Sequence, residues 1–542
     1  MLNYVWLTLL MLGIGVALTT DIIDKTENKY RNGEHLSVTI IYPDSMDNLS
    51  DDQHNVNINI SKEAFNEFYN LSIDEDINQS TSITIDSKKN KNILFFKINE
   101  NTPAFWNKMA KISGKEDDLV GTVIIDEKIS SSTYRGKIVL ENIAFARMKE
   151  VTNSALSYAG VAVDIALGLI GIMALWLGVM KVAEQAGLIK IIANAMRPLT
   201  KFLFPDVPQD HPAMGAMIMN MAANMLGLGN AATPFGLKAM EELDKLNPNK
   251  GTATNAMITF LAVNTAGLTL IPVTAIAIRA AAGSSDPAII IGTSIFGALC
   301  ATTVGITVVK LFEKGSSVNG FMEFVKSSKK GLIIFATIIV GVLALLFSGL
   351  ANTIFQSLSF LNPELFKSVI QIISTLAIPM LILIFIGYGA IKKVKIYEVF
   401  VEGAKEGFDV AIRIIPYLVA MLVAIGIFRA GGGMDILIYA LTPLTSLIGM
   451  PAEALPMAIM RPLSGSGSLG IMAEILATHG PDSFIGILVS TFFGSTETTF
   501  YVLAVYFGSV NIRKTRYALT AGLLADIAGI LGAVFIVKLL FG

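Results

Sequence analysis

The chain has 542 residues, of which 53% are hydrophobic, and its formal net charge at pH 7 is −2. Many apolar runs reach the roughly 20 residues that a helix needs to cross a bilayer, so the composition predicts a polytopic membrane protein and gives no basis for a nucleic-acid partner. A single cysteine, Cys300, excludes an intrachain disulfide and a cysteine-based metal site, and four scattered histidines lack metal-ligand spacing.

The predicted elements begin with a transmembrane helix at residues 1–20. Residues 2–19 are apolar and uncharged, and they lack both the basic start and the Ala-x-Ala-like cleavage site of a signal peptide. We therefore expect an uncleaved helix that stays in the membrane.

A polar segment follows at residues 21–150. It contains 22 of the 43 acidic and 16 of the 41 basic residues and is rich in Asn, Asp and Ser. Short runs in which apolar and polar residues alternate predict strands at 36–40, 56–60, 83–85, 93–98, 123–125 and 138–140. The segment therefore predicts a small β-rich soluble domain, with Trp106 and Phe105 in its core and no sign of catalysis.

From residue 151 onwards the chain is nearly continuous membrane sequence. Long apolar runs predict spans at about 160–180, 254–278, 288–311, 331–350, 367–391, 410–428, 484–508 and 517–541. Residues 187–235 and 432–476 are divided by Pro and Gly into apolar pieces too short to cross a bilayer comfortably. These two segments predict re-entrant hairpins, each made of two half-helices.

The membrane part also contains an internal duplication. Identities recur at an offset of 245 residues, including Asp164 with Asp409, Gly187 with Gly432, and 198–200 with 443–445. When gaps are allowed, the alignment of the two repeats pairs residues 227–230 with 465–468 and residues 264–265 with 496–497. Inverted repeats with broken helices are a common architecture of secondary transporters, whose substrate sites lie at the repeat interface.

Basic residues predict how the two units are oriented. Clusters of Lys and Arg favour the cytoplasmic side of a membrane, and they occur at 181–201, 238–250, 310–330, 392–395 and 513–516. All of them share one side if both hairpins are re-entrant. Counting spans from that side places the N-terminus inside and the 21–150 domain and the C-terminus outside. We therefore expect a mainly α fold of nine spans and two hairpins, with two inverted units and a β-rich insert after the first helix.

Several strings in the membrane part match a known family. GLIGIMALW at 168–176 and NMAANMLGLGNAATP at 220–234 resemble spore maturation protein A, while RPLSGSGSLG at 461–470 and FGSTET at 493–498 resemble spore maturation protein B. The chain thus resembles a fusion of the two proteins. Both belong to the nucleoside-recognition or "gate" membrane domains, which resemble concentrative nucleoside transporters and the membrane gate of ferrous iron transport protein B.

The resemblance implies an organisation and a location. It implies a first gate domain at 151–330 and a second at 331–542, in a multi-pass protein of the bacterial plasma (inner) membrane that forms homo-oligomers such as a homodimer. It does not cover residues 21–150, which we expect to be extracytoplasmic. It supplies no established substrate.

The predicted site is a midplane cavity where half-helix ends from both units meet, because helix N-termini favour anions and C-terminal carbonyls favour cations. Polar side chains and an intramembrane carboxylate define it, since such groups are costly in hydrocarbon. The predicted solute-binding residues are Asn230, Thr233, Asn264, Thr265, Arg461, Ser464, Ser466, Ser468, Ser495, Thr496 and Glu497.

The sequence leaves the roles of the two charged site residues open. Glu497 is a candidate to bind a coupling cation, Na⁺, or to carry H⁺, and no other cofactor or metal is expected. Arg461 either pairs with a carboxylate or attracts an anionic solute.

The favoured function is transport of a small polar or anionic organic solute by alternating access, either ion-coupled or facilitative. The alternative is a membrane scaffold that assembles envelope components through its outer β domain. An intramembrane enzyme is disfavoured, because one Glu without a His, a metal or a second clustered acid makes poor catalytic machinery. The expected partners are therefore the lipid bilayer, a small solute and a second copy of the chain.

Overall fold

The computed structural model describes residues 2–42, 53–86, 91–99, 102–113, 118–227, 229–315 and 363–542. The predicted span at 331–350 and the predicted domain boundary at 330 lie outside these residues. The chain forms two compact units, one made of Met1–Thr8, Leu156–Gly426 and Asp435–Gly542 and the other of Leu9–Ala155 and Ile427–Met434.

The elements are named in chain order. The strands are β1 (Leu36–Ile41), β2 (Gln53–Ile60), β3 (Ile77–Asp86), β4 (Lys91–Lys97), β5 (Asp118–Lys128) and β6 (Thr133–Leu140). The helices before the membrane region are α1 (Leu2–Thr26), α2 (Lys62–Tyr69) and α3 (Ala104–Ser113). The later helices are α4 (Ala146–Gln185), α5 (Leu188–Leu203), α6 (Pro212–Met225), α7 (Gly229–Lys245), α8 (Asn255–Ala266), α9 (Val273–Ala281), α10 (Ile290–Gly315), α11 (Pro363–Ile391), α12 (Ile396–Ala430), α13 (Gly433–Ser446), α14 (Leu455–Leu463), α15 (Gly465–His479), α16 (Phe484–Ser495), α17 (Thr499–Ser509) and α18 (Ala518–Phe541).

The polar segment folds as a closed six-stranded barrel. Each strand pairs antiparallel with the next, and β1 pairs with β6 to close the barrel. All six strands predicted from the alternating runs are therefore confirmed. Closure removes the unpaired edges that an open sheet of this size would expose to other chains.

Two short helices, which the alternation did not predict, supply the aromatic part of the barrel core. Trp106 on α3 is fully buried, as predicted, and its Nε1–H donates to the Tyr69 hydroxyl of α2 at 3.1 Å. Burial raises the pKa of Tyr69 to about 12, so its hydroxyl stays neutral at physiological pH. Because α2 follows β2 and α3 follows β4, both helices lie at the end of the barrel where the chain enters and leaves.

Side chains also join the chain segments that enter and leave the barrel. Asp21, near the end of α1, is 4% exposed and accepts the backbone N–H groups of Arg147 and Met148, each at 2.9 Å. Asn32 exchanges two hydrogen bonds with the backbone of Ile143. Asp21 therefore caps the N-terminus of α4 from a distant part of the sequence, which satisfies N–H groups that no helical carbonyl reaches.

The membrane region contains long apolar helices and shorter broken ones. Within the described ranges, five helical segments are long and apolar enough to cross a bilayer: Trp6–Thr26, Ala146–Gln185, Pro287–Glu313, Ile396–Ala430 and Ala518–Phe541. They show a multi-pass membrane protein by length and composition, and the helix predicted at 1–20 corresponds to α1, which continues to Thr26. The predicted continuous spans at 254–278 and 484–508 are wrong in one respect, because each is split into two helices, α8 with α9 and α16 with α17.

The cap on α4 gives a first prediction. Asp21→Ala removes the acceptor for two N–H groups, and loss of such a cap costs about 1–2 kcal/mol. We expect amide hydrogen exchange at the start of α4 to rise roughly tenfold, since 1.4 kcal/mol corresponds to a factor of ten. Exchange is measured by mass spectrometry on the full chain in detergent. Asp74→Ala, in an exposed loop, is the matched control, and equal exchange in both variants would contradict the capping role.

Candidate functional site

The candidate site lies where two broken helices meet. The first break follows α8, whose last turn is closed by Gly267 at a φ of +57°. The second break follows α16, where Thr496 is extended before α17 begins at Thr499. The backbone N–H of Glu497 donates to the carbonyl of Thr265 at 2.9 Å. The structure thus brings together the two polar patches that the duplication placed in equivalent positions.

One end of this helix pair is joined mainly by backbone. Before α8, Thr252 pairs with Lys514, which lies after α17, and the carbonyl of Gly251 accepts the N–H of Lys514 at 3.0 Å. Arg516 adds a hydrogen bond at 2.9 Å to the side-chain oxygen of Asn255. The start of the first broken helix therefore lies beside the end of the second.

The opposite end is joined by a network centred on Asp482. Arg279, at the end of α9, is fully buried and contacts Asp482, which precedes α16, at 2.9 Å. Asp482 also accepts hydrogen bonds from the hydroxyls of Ser284 and Ser285, at 2.5 and 2.7 Å, and from the N–H of Ser285. Because the end of the first broken helix lies beside the start of the second, the two run in opposite directions.

Arg461 is the charged centre of the site. It lies at the end of α14, is 3% exposed, and donates to the carbonyl of Thr496 within the second break. Its Nη2 lies 3.6 Å from Oε2 of Glu497, and its guanidinium carbon lies 4.4 Å from the centre of the Phe493 ring. The structure thus forms the carboxylate pair, which is one of the two roles that the sequence left open for Arg461.

A cavity of about 110 Å³ opens beside this pair. Of the predicted site residues, Arg461, Thr496 and Glu497 line it, and the Glu497 side chain is 49% exposed. The remaining lining residues come from both broken helices and from α6, and they are Asn224, Gly227, Thr269, Ile271, Pro272, Val273, Thr274, Ala275, Phe493 and Gly494. The cavity therefore offers a cation, an anion and an amide to a small solute.

A second polar cluster lies deeper, around Asn264. Its side-chain oxygen accepts the Asn224 amide at 2.8 Å and the Tyr506 hydroxyl at 3.4 Å. Asn220 in turn donates to the Tyr506 oxygen at 3.1 Å. The cluster joins α6, α8 and α17, and Asn224 extends it to the cavity. Tyr506, which lies in an apolar run, was not among the residues predicted from the sequence.

The predicted serines lie away from the cavity lining and bond mainly within their own helices. Ser464 caps α15 by accepting the Gly467 N–H at 3.0 Å, and its oxygen lies 3.4 Å from that of Ser466. Ser468 donates to the Ser464 carbonyl at 2.6 Å, and Ser495 donates to the carbonyl of Thr491 at 2.6 Å.

The remaining predicted residues lie on α7 and α8. The Thr265 hydroxyl donates to the Ala262 carbonyl within α8, so it is the Thr265 carbonyl that reaches the second break. Thr233 is half-buried on α7. Asn230 lies in the first turn of α7, and its side chain falls outside the described part of the structure.

A larger cavity of about 540 Å³ lies elsewhere, at the start of α8. Loop residues such as Asp206, Asn247 and Asn249 line it together with Arg516, and none of the predicted site residues does. It is an open cleft between loops, without a buried charge like that of Arg461. In the described residues, no group of three or more His, Cys, Asp or Glu side chains is placed to hold a metal ion.

Close approach at the first break gives a second prediction. A Cβ at Gly267 would lie 2.9 Å from Cγ of Glu497, whereas a Cβ at Gly283 would meet nothing within 4 Å. Both glycines have positive φ, so alanine strains the backbone at either position. At Gly267, but not at Gly283, the added methyl group also overpacks the site, which destabilises the protein by about a further 1–3 kcal/mol. We expect Gly267→Ala to lower the unfolding temperature in detergent more than Gly283→Ala does, and an equal loss would contradict this packing.

The Asp482 network gives a third prediction. Burial raises the pKa of Asp482, but hydrogen bonds from Ser284 and Ser285 and the charge of Arg279 outweigh burial and hold the pKa below its usual value. The stabilisation is therefore complete above the unfolded pKa, about 3.9, and is lost as the pH falls through the folded pKa. We expect Asp482→Asn to destabilise this loop by about 1 kcal/mol at pH 7, because water screens a side chain that is 41% exposed. Hydrogen exchange measures this change.

The pH dependence provides the check on that prediction. The difference between wild type and Asp482→Asn should shrink below about pH 4, where the wild-type carboxyl takes up a proton. Asp210→Asn, which changes an exposed loop carboxylate, is the control and should leave exchange unchanged. A difference that persists undiminished at low pH would contradict the role of the Asp482 charge.

Comparisons with known proteins place these elements in a family. The family model Gate, described as nucleoside recognition, matches residues 166–282 and 411–513, which contain most of α4–α9 and of α12–α17. Spore maturation protein B of Bacillus subtilis (strain 168) is 53% identical over 175 residues, which are 32% of this chain and 98% of that protein. Spore maturation protein A of the same organism is 47% identical over 165 residues, 30% of this chain and 84% of that protein. The chain therefore belongs to the family of spore maturation proteins A and B and matches both of them in one polypeptide.

Proposed function

We propose that this chain is a membrane transporter of a small polar or anionic organic solute. The observation that carries the proposal is the pair of helix breaks, joined by Glu497 and Thr265, beside a cavity that contains the buried Arg461. Broken helices at membrane depth are tolerated only where protein buries them or where they line a wet cavity. In secondary transporters such breaks form the solute site.

We further propose that the two gate units are inverted repeats that work by alternating access. The opposite directions of the two broken helices support this. The start of α8 lies beside the end of α17, and the end of α9 lies beside the start of α16. The hairpin assignment draws support from the short helices in these segments, α5 and α6 in the first unit and α13–α15 in the second. The second segment contains three helices where two half-helices were expected. The predicted gate domains at 151–330 and 331–542 remain part of this proposal.

The proposed solute class follows from the charges around the cavity. Arg461 favours a carboxylate or another anionic group, while Glu497 and Asn224 offer hydrogen bonds to hydroxyl or amide groups. A cavity of about 110 Å³ is smaller than the roughly 300–1,000 Å³ of sites for drug-sized ligands. The Glu497 side chain on its lining is 49% exposed, so the cavity is not sealed in this conformation, and it must widen to admit a solute. Transport is either ion-coupled or facilitative, without enzymatic chemistry.

The proposed location is the bacterial inner membrane, with residues 21–150 outside the cytoplasm. Lys238, Lys245 and Lys250 precede α8, while Arg513 and Arg516 follow α17. Since the start of α8 lies beside the end of α17, these basic groups share one end of the helix pair. By the preference of Lys and Arg for the cytoplasmic side, that end faces inward. Homo-oligomer formation remains an expectation from the family resemblance.

A membrane scaffold is the second candidate function. The barrel favours it, because it is a compact folded unit whose two connecting segments are tied together by Asp21 and Asn32. A scaffold does not need a charged cavity at the helix breaks, which is why transport ranks first.

The transport proposal gives a fourth prediction. Purified protein in liposomes is tested for uptake of nucleosides, dicarboxylates and amino acids, with and without Na⁺ and pH gradients. We expect uptake of a solute from this panel, and we expect Glu497→Gln to reduce its rate roughly 10- to 100-fold, since a hydrogen bond to a charged group contributes about 1.5–3 kcal/mol.

The matched control is Glu402→Gln, which neutralises an exposed carboxylate on α12 and should leave the uptake rate unchanged. Both variants must show the elution profile and unfolding temperature of the wild type. If correctly folded wild-type protein moves none of these solutes in any gradient, the transport proposal fails and the scaffold becomes the favoured function.

A further inference from the structure

A carboxyl group that the proposed solute site does not use lies beside the second helix break. Asp526, in the middle of α18, is 1% exposed, and its Oδ2 accepts the hydroxyl of Thr499 at 2.6 Å. Its other oxygen, Oδ1, has no hydrogen-bond partner among the described residues. Its partner Thr499 lies on another helix, α17.

Small residues on α18 let the second break pack directly against this carboxyl. A Cβ at Gly522 would lie 2.7 Å from Cγ2 of Thr499, and one at Gly529 would lie 2.6 Å from Cγ2 of Thr496. Gly522, Asp526 and Gly529 are four and three residues apart, so they share one face of the helix. Asp526 therefore lies on the face of α18 that packs against Thr496 and Thr499, at the two ends of the second break.

Two further polar atoms at the break also lack partners among the described residues. They are the hydroxyl oxygen of Thr496 and Nε of Arg461. Buried polar atoms are satisfied in the great majority of cases, and exceptions point to strain, bound water or ions, or chemistry. Thr496 lines the cavity, so the unpaired atoms extend from the cavity toward Asp526.

The charges around Asp526 balance only when it is neutral. Arg461 and Glu497 both interact with it electrostatically, and they already balance each other. The neighbouring helices α8 and α16 contain no ionisable side chain. Other ionisable groups nearby are Cys300 of α10, which lies against Gly532, and Tyr501 and Tyr506 of α17. An ionised Asp526 would therefore leave one uncompensated negative charge in this buried cluster.

We propose that Asp526 is the residue that binds and releases a coupling proton during transport, an inference that rests on the proposed transport function. The proton forms an O–H bond at Oδ1 and leaves the carboxyl neutral, and its release on the other side of the membrane restores the carboxylate. The Thr499 hydroxyl orients the group through Oδ2. A proton needs only one acceptor oxygen, whereas Oδ1 of Asp526 and the Thr496 hydroxyl beside a guanidinium form too small a ligand set for a metal cation.

The direct test is infrared difference spectroscopy of the full chain in liposomes during a pH titration. We expect wild type to show the C=O stretch of a protonated carboxyl that disappears as the pH rises. Asp526→Asn should lack this band, and Asp526→Glu should restore it at a shifted position. Asp164→Asn, which changes an exposed carboxylate on α4, should keep it. A band that survives in Asp526→Asn would overturn the proposal.

The second arm measures uptake of uridine, succinate and glutamate driven by a pH gradient or by a Na⁺ gradient. We expect a pH gradient to drive accumulation in wild type and in Asp164→Asn, and the initial rate to fall at least tenfold in Asp526→Asn. Partial recovery in Asp526→Glu would show that the carboxyl itself, rather than its packing, is required.

The outcomes separate the two proposals. Uptake driven by Na⁺ alone, or unchanged driven uptake in Asp526→Asn, overturns the proton site and leaves transport intact. Absence of uptake in every gradient overturns transport, while the infrared titration still decides whether Asp526 exchanges a proton. A misfolded Asp526→Asn variant would be revealed by its unfolding temperature, and Asp526→Glu then provides the comparison.

Discussion

The constraint on which the membrane region depends is that broken helices must satisfy their own backbone groups away from water. Each unsatisfied N–H or C=O in hydrocarbon costs several kcal/mol. Here the N–H of Glu497 is satisfied by the carbonyl of Thr265, in the last turn before the first break, and the carbonyl of Thr496 is satisfied by the Arg461 side chain. The two breaks therefore stabilise each other. Arg461, one member of the charged pair at the cavity, contributes to this by satisfying a backbone carbonyl of the second break.

Such mutual satisfaction requires backbones to approach closely, and glycines make that possible. A Cβ at Gly494 would come within 3.0 Å of Pro272 in the first break, and Gly297 on α10 leaves space for Ser495. Gly529 does the same for Thr496 on the other side. The second break is thus enclosed by α9, α10 and α18. Small residues at helix interfaces commonly permit this kind of approach in membranes.

The sequence predicted what depends on local pattern and missed what depends on distant contacts. The strands of the barrel followed from alternation, and the pairing of 264–265 with 496–497 followed from the duplication. The breaks themselves were missed, because the runs at 254–278 and 484–508 are as apolar as unbroken spans. A break is tolerable only where a second broken helix packs against it and provides partners for its backbone groups. The sequence also predicted that the hydroxyl of Ser464 binds a solute. In the structure, this hydroxyl instead caps helix α15 by accepting the N–H of Gly467.

The two ends of the helix pair are built differently, and this bears on the proposed alternating access. One end is joined by backbone pairing of Gly251 and Thr252 with Lys514. If this end opened, each paired N–H and C=O group would need a new hydrogen-bond partner. The other end is joined through Asp482, whose side chain is 41% exposed and can exchange its partners for water. If the Asp482 end opened, Arg279, which is buried in the described structure, would become exposed. Water would then solvate its guanidinium group. For the proposed alternating access, we therefore expect the Asp482 end to separate before the backbone-paired end. If the basic end faces the cytoplasm, as proposed above from the preference of Lys and Arg, the Asp482 end faces away from it, and the proposed solute would enter the cavity more readily from outside.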